Sequence, residues 1–454
     1  MSRLRPWMVA AAVVIAGFAV LAVVSLHDEE LTPEARALFA KAKPRVFSRE
    51  SGWALLSGFT APAGHDPRDY AQLRRRTVTA NTAGLSFPIP KTDELALRAA
   101  DELLCAPESK DCVRAFAVRP DSIQAAAADN SILLARFDEL LRARDLGATS
   151  ELLRYNTLYA PADVVLQVQK LRMSQVGVAT ARGRIDQALA WLEADATFHR
   201  SWLGDSTEML STALAARGLT RSFLMAGQIA RAAHALTPGQ RQALERIIAP
   251  LTASQWSVAT AIRSEAAGLA VLVDDMIASP RKTGAFLGAS PFLAEVAGWT
   301  MRRNATLNFA VPHYASWARL DALPTDSLAP AIEELRAASR QHLARDWTWA
   351  YNFAGRSIVA EESFDASDFV YRLRDVDALA RLIRCAVGLR ANAIAVASAA
   401  AFVSSDPACL DPYLSRPFAW DAGRGELSFK PGFAGNVDRL GGGNGRVAFA
   451  PYPR

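Results

Sequence analysis

No pair of cysteines in this sequence has the tight CxxC spacing, and no histidine lies near any of the four cysteines, so a zinc site is not expected. The glycine run from Gly441 to Gly445 lacks a Gly-Lys-Ser/Thr ending and no helix follows it, so it reads as a flexible turn, not a phosphate loop. Glu361, Glu362, Asp365 and Asp368 lack the glycine turn and closing acid of a calcium loop. They are read instead as acids at the positive end of a helix, with Asp365 or Ser367 as its N-cap. No basic stripe interleaved with aromatics occurs, and 51 basic residues face 46 acidic ones, which argues against nucleic acid as a partner. Long alternating β-branched runs are few, which argues against a large sheet. No cofactor and no metal is expected.

The longest feature that is present is the stretch from Trp7 to Leu26, twenty residues without a charge, preceded by Arg3 and Arg5 and followed by Asp28, Glu29 and Glu30. At about 1.5 Å per residue it covers roughly 30 Å, the hydrocarbon thickness of a bilayer. It reads as a membrane anchor, oriented with its basic flank in the cytoplasm. The competing reading is a secretory signal peptide cleaved after Val23 and Ser25, leaving Leu26 first; the length of the apolar run and Trp7 favour the uncleaved anchor. Both readings place residues 27–454 in the same compartment, the bacterial periplasm, and the anchored reading leaves residues 1–6 in the cytoplasm.

Composition sets the class of the exported part. With 51% hydrophobic residues and abundant alanine, the expectation is mainly α: an irregular bundle or solenoid-like body of helical hairpins over 91–409, with a β-hairpin and tail at 410–454. Residues 27–90 form a stalk and a packed irregular segment. The four cysteines fall into two local pairs, and the expected disulfides are Cys105 with Cys112 and Cys385 with Cys409. Free buried thiols are the alternative.

Along the chain, Thr32-Pro33-Glu34 opens a short helix, and Gly52 to Pro67 packs Trp53, Leu55, Leu56 and Phe59 against the body. Asp66-Pro67 starts a helix carrying Arg74, Arg75 and Arg76, which fan out as a solvated face. Thr92-Asp93-Glu94 predicts one helix, and Asp121 begins another with Ile132, Leu133, Phe137, Leu140 and Leu141 as core and Asp129 and Asn130 on its exposed side. From Pro161 to Ser279 successive hairpins are expected; RGRIDQALAWLEAD has a tetratricopeptide-like look, without a fixed repeat period. One long helix is predicted from Phe369 to Phe402. Strands at Pro417–Trp420 and Glu426–Phe429 should flank a turn, with a third at Val447–Phe449.

Between Ser290 and Trp349 aromatics become frequent, and Trp299, Tyr314, Trp317, Trp347 and Trp349 are the candidates for partner contact. His313 and His342 are the titratable candidates in the same region. Several stretches resemble a group of single-span, membrane-anchored proteobacterial proteins of unknown function: GWALLSGFTAPAGHDP, the Cys105 and Cys112 loop with the alanine-rich helix after it, YRLRDVDALARLIR from Tyr371, and DPYLSRPFAWDAGRGELSF from Asp411. The resemblance implies localisation and a mostly helical exported body. Asn352 to Arg356 is similar to the group's Asn-Pro-x-Gly-Lys stretch with the proline and lysine replaced, so no role is carried to that turn. The expected function is protein binding or scaffolding in the envelope; the alternative is a periplasmic hydrolase using His313, His342 or the acids near Glu361.

Overall fold

The computed structural model describes residues 27–40, 47–80, 93–147, 160–233, 235–281, 283, 290–344, 351–362, 366–432 and 446–448. The expected anchor over 7–26, the glycine run 441–445, and Thr92, Trp347, Trp349 and Asp365 lie outside these residues. Among the described residues no helix is long and apolar enough to cross a membrane.

The fold is mainly helical, with a few short strands near its C-terminal end. Its first helix, α1 (Pro33–Leu38), starts as its sequence dictates: the Thr32 hydroxyl accepts from the Ala35 amide and proline occupies the first turn. Next come α2 (Gly52–Ser57) and α3 (Pro67–Ala80), where Asp66 accepts from the amides of Arg68 and Asp69. Trp53, Leu55, Leu56 and Phe59 are buried. Arg136 explains how this broken segment is held. Its guanidinium, buried in the next layer, donates to the carbonyls of Phe59, Ala61, Pro62 and His65.

The short helices α4 (Cys112–Phe116), α5 (Pro120–Asp129) and α6 (Ser131–Leu140) lead to three long ones, α7 (Ala162–Ala181), α8 (Ile185–Asp205) and α9 (Met209–Ala232). Helix α9 is the centre of the body. It touches α7, α8, α17 and α4, and sixteen of its 24 residues are buried, so it is apolar or small on nearly every side. The chain continues through α10 (Pro238–Ile247), α11 (Ala253–Trp256) and α12 (Ala259–Ala278), then α13 (Pro291–Thr300), α14 (Arg303–Ala318), α15 (Leu328–His342) and α16 (Phe353–Glu362). Helices α17 (Ser367–Ala391) and α18 (Val396–Ser405) precede two small antiparallel sheets. In the first, β1 (Leu410–Asp411) pairs with β2 (Arg416–Pro417); in the second, β3 (Ala419–Asp421), β4 (Glu426–Ser428) and β5 (Arg446–Ala448) form a meander with Trp420 opposite Leu427 and Leu427 opposite Val447.

Both cysteine pairs are closed as disulfides, Cys105–Cys112 with Cα atoms 5.7 Å apart and Cys385–Cys409 at 4.9 Å. The second joins α17 to the segment leading into β1. Tyr413 donates to Asp375 and the Gly432 amide donates to the same carboxylate, which fastens the small sheets to α17 at a second place.

Four elements differ from expectation. No α-helix opens at Asp93 and Glu94: residues 95–100 are irregular, and Asp101–Leu103 makes a 3₁₀ turn. The backbone groups that a helix would use are taken elsewhere. Leu95 N–H donates to Thr60 O, and the Asn130 carboxamide accepts from Arg98 N–H while donating to Arg98 O. Asn130 is therefore buried, and it marks the break between α5 and α6 that replaces one expected helix; Ile132 next to it is exposed, unlike Leu133, Phe137, Leu140 and Leu141. The long helix predicted from Phe369 to Phe402 is also two helices, separated at Ala393, which adopts φ 51°. The C-terminal strand expected at Pro417–Trp420 is divided between the two sheets at Phe418, whose amide donates to Cys409 O.

Candidate functional site

A group of buried polar side chains lies where α7, α8 and α9 meet. Asp195 and His199 are one turn apart on α8 and completely buried. Gln169 of α7 places its amide nitrogen 2.8 Å from Asp195 Oδ2, 2.9 Å from Gly218 O and 3.0 Å from His199 Nε2. Ser222 of α9 donates to the same Asp195 oxygen at 2.5 Å. Arg221, one residue earlier, turns the other way: it donates to Leu166 O and Gln169 Oε1, and its Nε lies 2.9 Å from Glu108 in the Cys105–Cys112 loop. The cluster thus links three helices and the first disulfide loop.

Its electrostatics decide what it can do. Desolvation pushes the Asp195 carboxyl up to about 6, against opposing hydrogen bonds from Ser222 and Gln169. Desolvation, with the nearby charge of Arg221, pushes the His199 imidazole down to about 3, so it is neutral at physiological pH. Asp195 Oδ1 and His199 Nε2 are 3.7 Å apart, too far for a hydrogen bond. Ser222 is bonded to the acid and not to the imidazole, which is the wrong order for a nucleophile activated by a base. A histidine this weakly basic is also a poor general base near neutral pH. The arrangement ties helices together.

Helix α9 permits this through Gly218. A Cβ there would sit 2.1 Å from His199 Cε1 and 2.4 Å from each ring nitrogen, so the imidazole occupies the space a side chain would need. The sequence signal for the cluster was weak: Asp195 and His199 fall at i and i+4 within an alanine-rich helix, but Gln169, Gly218, Arg221 and Ser222 are brought to them only by the packing.

The aromatic candidates separate. Tyr314 and Trp317 are buried in α14 and belong to the hydrophobic core, whereas Trp299 on α13 is 75% exposed. His313 pairs its Nδ1 with Ser339 Oγ at 3.1 Å, and His342 Nε2 donates to Phe309 O at 2.7 Å while its ring stacks on Phe309. Both histidines tie α14 to α15. Glu361 and Asp368 are exposed. Among the described residues no group of three His, Cys, Asp or Glu side chains could hold a metal ion.

A further constellation holds residues 27–30 against the body. Helix α14 has no N-cap side chain of its own. Asp28 supplies one from 276 residues away, accepting from the amides of Asn304 at 2.9 Å and Ala305 at 3.0 Å. Asn304 and Asn308 donate to the carbonyls of Glu29 and Glu30, and the Tyr351 hydroxyl donates to His27 O. Residues 27–30 are therefore held against the body, and α1 continues along α14 with Ala35 buried.

Compared with protein-family models, with curated proteins and with solved structures, the chain finds no match.

Proposed function

We propose that this is a bacterial envelope protein, held at the inner membrane by residues 7–26, whose periplasmic helical body binds another protein or scaffolds a complex. The observation that carries the reading is the pair of disulfides, Cys105–Cys112 and Cys385–Cys409, both buried within the body. Disulfides of this kind persist in oxidising compartments and are rare in the reducing cytosol. The twenty uncharged residues that precede the first described residue supply a segment of membrane-spanning length. The resemblance to membrane-anchored proteobacterial proteins points the same way.

A binding role is favoured over catalysis by the chemistry of the central cluster. Its hydroxyl is bonded to the acid, its imidazole meets the Gln169 amide, and all three groups are fully buried. In spheroplasts, protease added from outside should digest the body, and the residual membrane fragment should resist extraction by carbonate. Photo-cross-linkers placed around the body in living cells should give discrete adducts of defined mass. Adducts that never rise above background from any face would overturn the binding role, and a body protected until the inner membrane is lysed would overturn the location.

A further inference from the structure

Helix α13 has an inner face and an outer face of the same apolar character. Its inner face is built from small residues: Ala294 and Gly298 are buried, and a Cβ at Gly298 would approach Pro280 Cβ to 2.8 Å and Met276 O to 3.0 Å, so α13 lies tightly on the end of α12. Its outer face carries Phe292, Leu293, Val296 and Trp299, at i, i+1, i+4 and i+7, which is one stripe of a helix. Phe292 is 73% and Leu293 61% exposed. Polar groups are absent from this stripe. Glu295 is paired with Arg281, and the Thr300 hydroxyl is bonded back to Val296 O. Such a contiguous apolar face is unusual in a protein surrounded by water.

Its position indicates what covers it. Arg302 donates to Trp299 O and, through its own amide, to Asn352 Oδ1. The next residues, Asn304 and Ala305, hold Asp28, and Tyr351 holds His27. Trp299 and His27 thus converge on the same turn of chain. The apolar segment 7–26 ends one residue before His27, so no slack separates the body from the end of that segment. The headgroup layer on each side of a bilayer is only about 5–8 Å deep, and an apolar stripe ending in tryptophan matches the preference of such helices for that layer.

We propose that the outer face of α13 rests in the headgroup region of the membrane in which residues 7–26 are anchored, so that the body lies on the bilayer in one orientation instead of swinging from a tether. This inference rests on the anchored reading above. The occupant is the lipid surface; a second copy, a protein partner or residues 7–26 folded back onto the stripe are the rivals.

The test is tryptophan fluorescence of the full chain reconstituted in vesicles of phosphatidylethanolamine and phosphatidylglycerol, with ordinary or brominated acyl chains, for the wild type and Trp299→Phe. Trp299 is exposed, so phenylalanine leaves the packing of α13 intact. The wild-type minus variant emission isolates Trp299 from the other nine tryptophans. The expected result is a blue-shifted difference spectrum that brominated lipid lowers at least about twofold and that aqueous iodide barely affects. A difference spectrum quenched by iodide and untouched by brominated lipid overturns the inference and leaves the anchor standing. One insensitive to both quenchers also overturns it, because protein then covers the stripe. Vesicles stripped of the protein by carbonate overturn the anchor itself, and the inference with it.

Discussion

Replacing Gly218 by alanine sets two opposing effects against each other. In a helix interior alanine is favoured over glycine by about 1 kcal/mol, through backbone entropy. Gly268 of α12 shows that effect alone, since a Cβ there meets nothing within 4 Å. At Gly218 the new methyl would stand 2.1 Å from the His199 ring, which has no exposed surface and has Gln169 3.0 Å from its Nε2. The ring must move by about 1.5 Å to reach ordinary contact, at an overpacking cost of about 1–3 kcal/mol. Displacement also separates the imidazole from Gln169, and an orphaned buried polar group costs about 1–3 kcal/mol more. Subtracting the helix gain leaves Gly218→Ala destabilised by about 1–5 kcal/mol, while Gly268→Ala is stabilised by up to about 1 kcal/mol. Denaturant unfolding followed by far-ultraviolet circular dichroism, with disulfides intact, reads both. The double variant Gly218→Ala/His199→Ala should recover stability relative to the sum of its parts, because the ring no longer opposes the methyl. Equal stabilisation by the two glycine substitutions would refute the packing argument.

Asp195 and His199 also predict opposed pH dependences. Burial raises the Asp195 carboxyl from 3.8 to about 6, so between those values the folded chain holds a proton the unfolded chain lacks, and this contribution to stability falls as pH rises. His199 is lowered from 6.5 to about 3, so the unfolded chain holds the extra proton and its contribution rises with pH through that window. Asp195→Asn should steepen the rise in stability from pH 4 to 6, and His199→Gln should flatten or reverse it, each by about one proton in the linkage slope. Unchanged slopes in both variants would contradict the assignment. Asn130→Leu removes both bonds to the Arg98 backbone and should cost about 2 kcal/mol, with faster amide exchange at Arg98. Asp28→Ala should cost about 1 kcal/mol and raise exchange at Asn304 and Ala305 by a similar energetic factor. Paired serine substitution of Cys385 and Cys409 should cost about 3 kcal/mol in denaturant midpoints, since the bridge closes a loop with a sequence separation of 24.

The helical class, the hairpins after Pro161 and the caps at Thr32 and Asp66 were legible because they depend on periodicity and on side chains a few residues away. The cysteine pairs were legible as local pairs for the same reason. Asn130 was misread as an exposed position because its partner, the Arg98 backbone, lies across the fold, and the same long reach made the Asp93–Glu94 signal a false helix start. The break at Ala393 had no glycine or proline to announce it. Beyond the i, i+4 spacing of Asp195 and His199 the central cluster had no local signature: Gln169, Arg221 and Ser222 join them only after α7, α8 and α9 pack. The cap that Asp28 gives to α14 spans 276 residues and has no local signature.

The location of the body is the claim on which the functional account depends, and one labelling measurement addresses it directly. All four native cysteines are buried in disulfides, so Val118→Cys, at a position 79% exposed, provides a single reporter thiol. Intact bacterial cells expressing the full-length variant are treated with a small maleimide that passes the outer membrane and not the inner. The account predicts labelling of Val118→Cys before lysis, and blockage by an impermeant thiol reagent applied first. Labelling that occurs only after the inner membrane is breached would put the body in the cytoplasm and contradict the account.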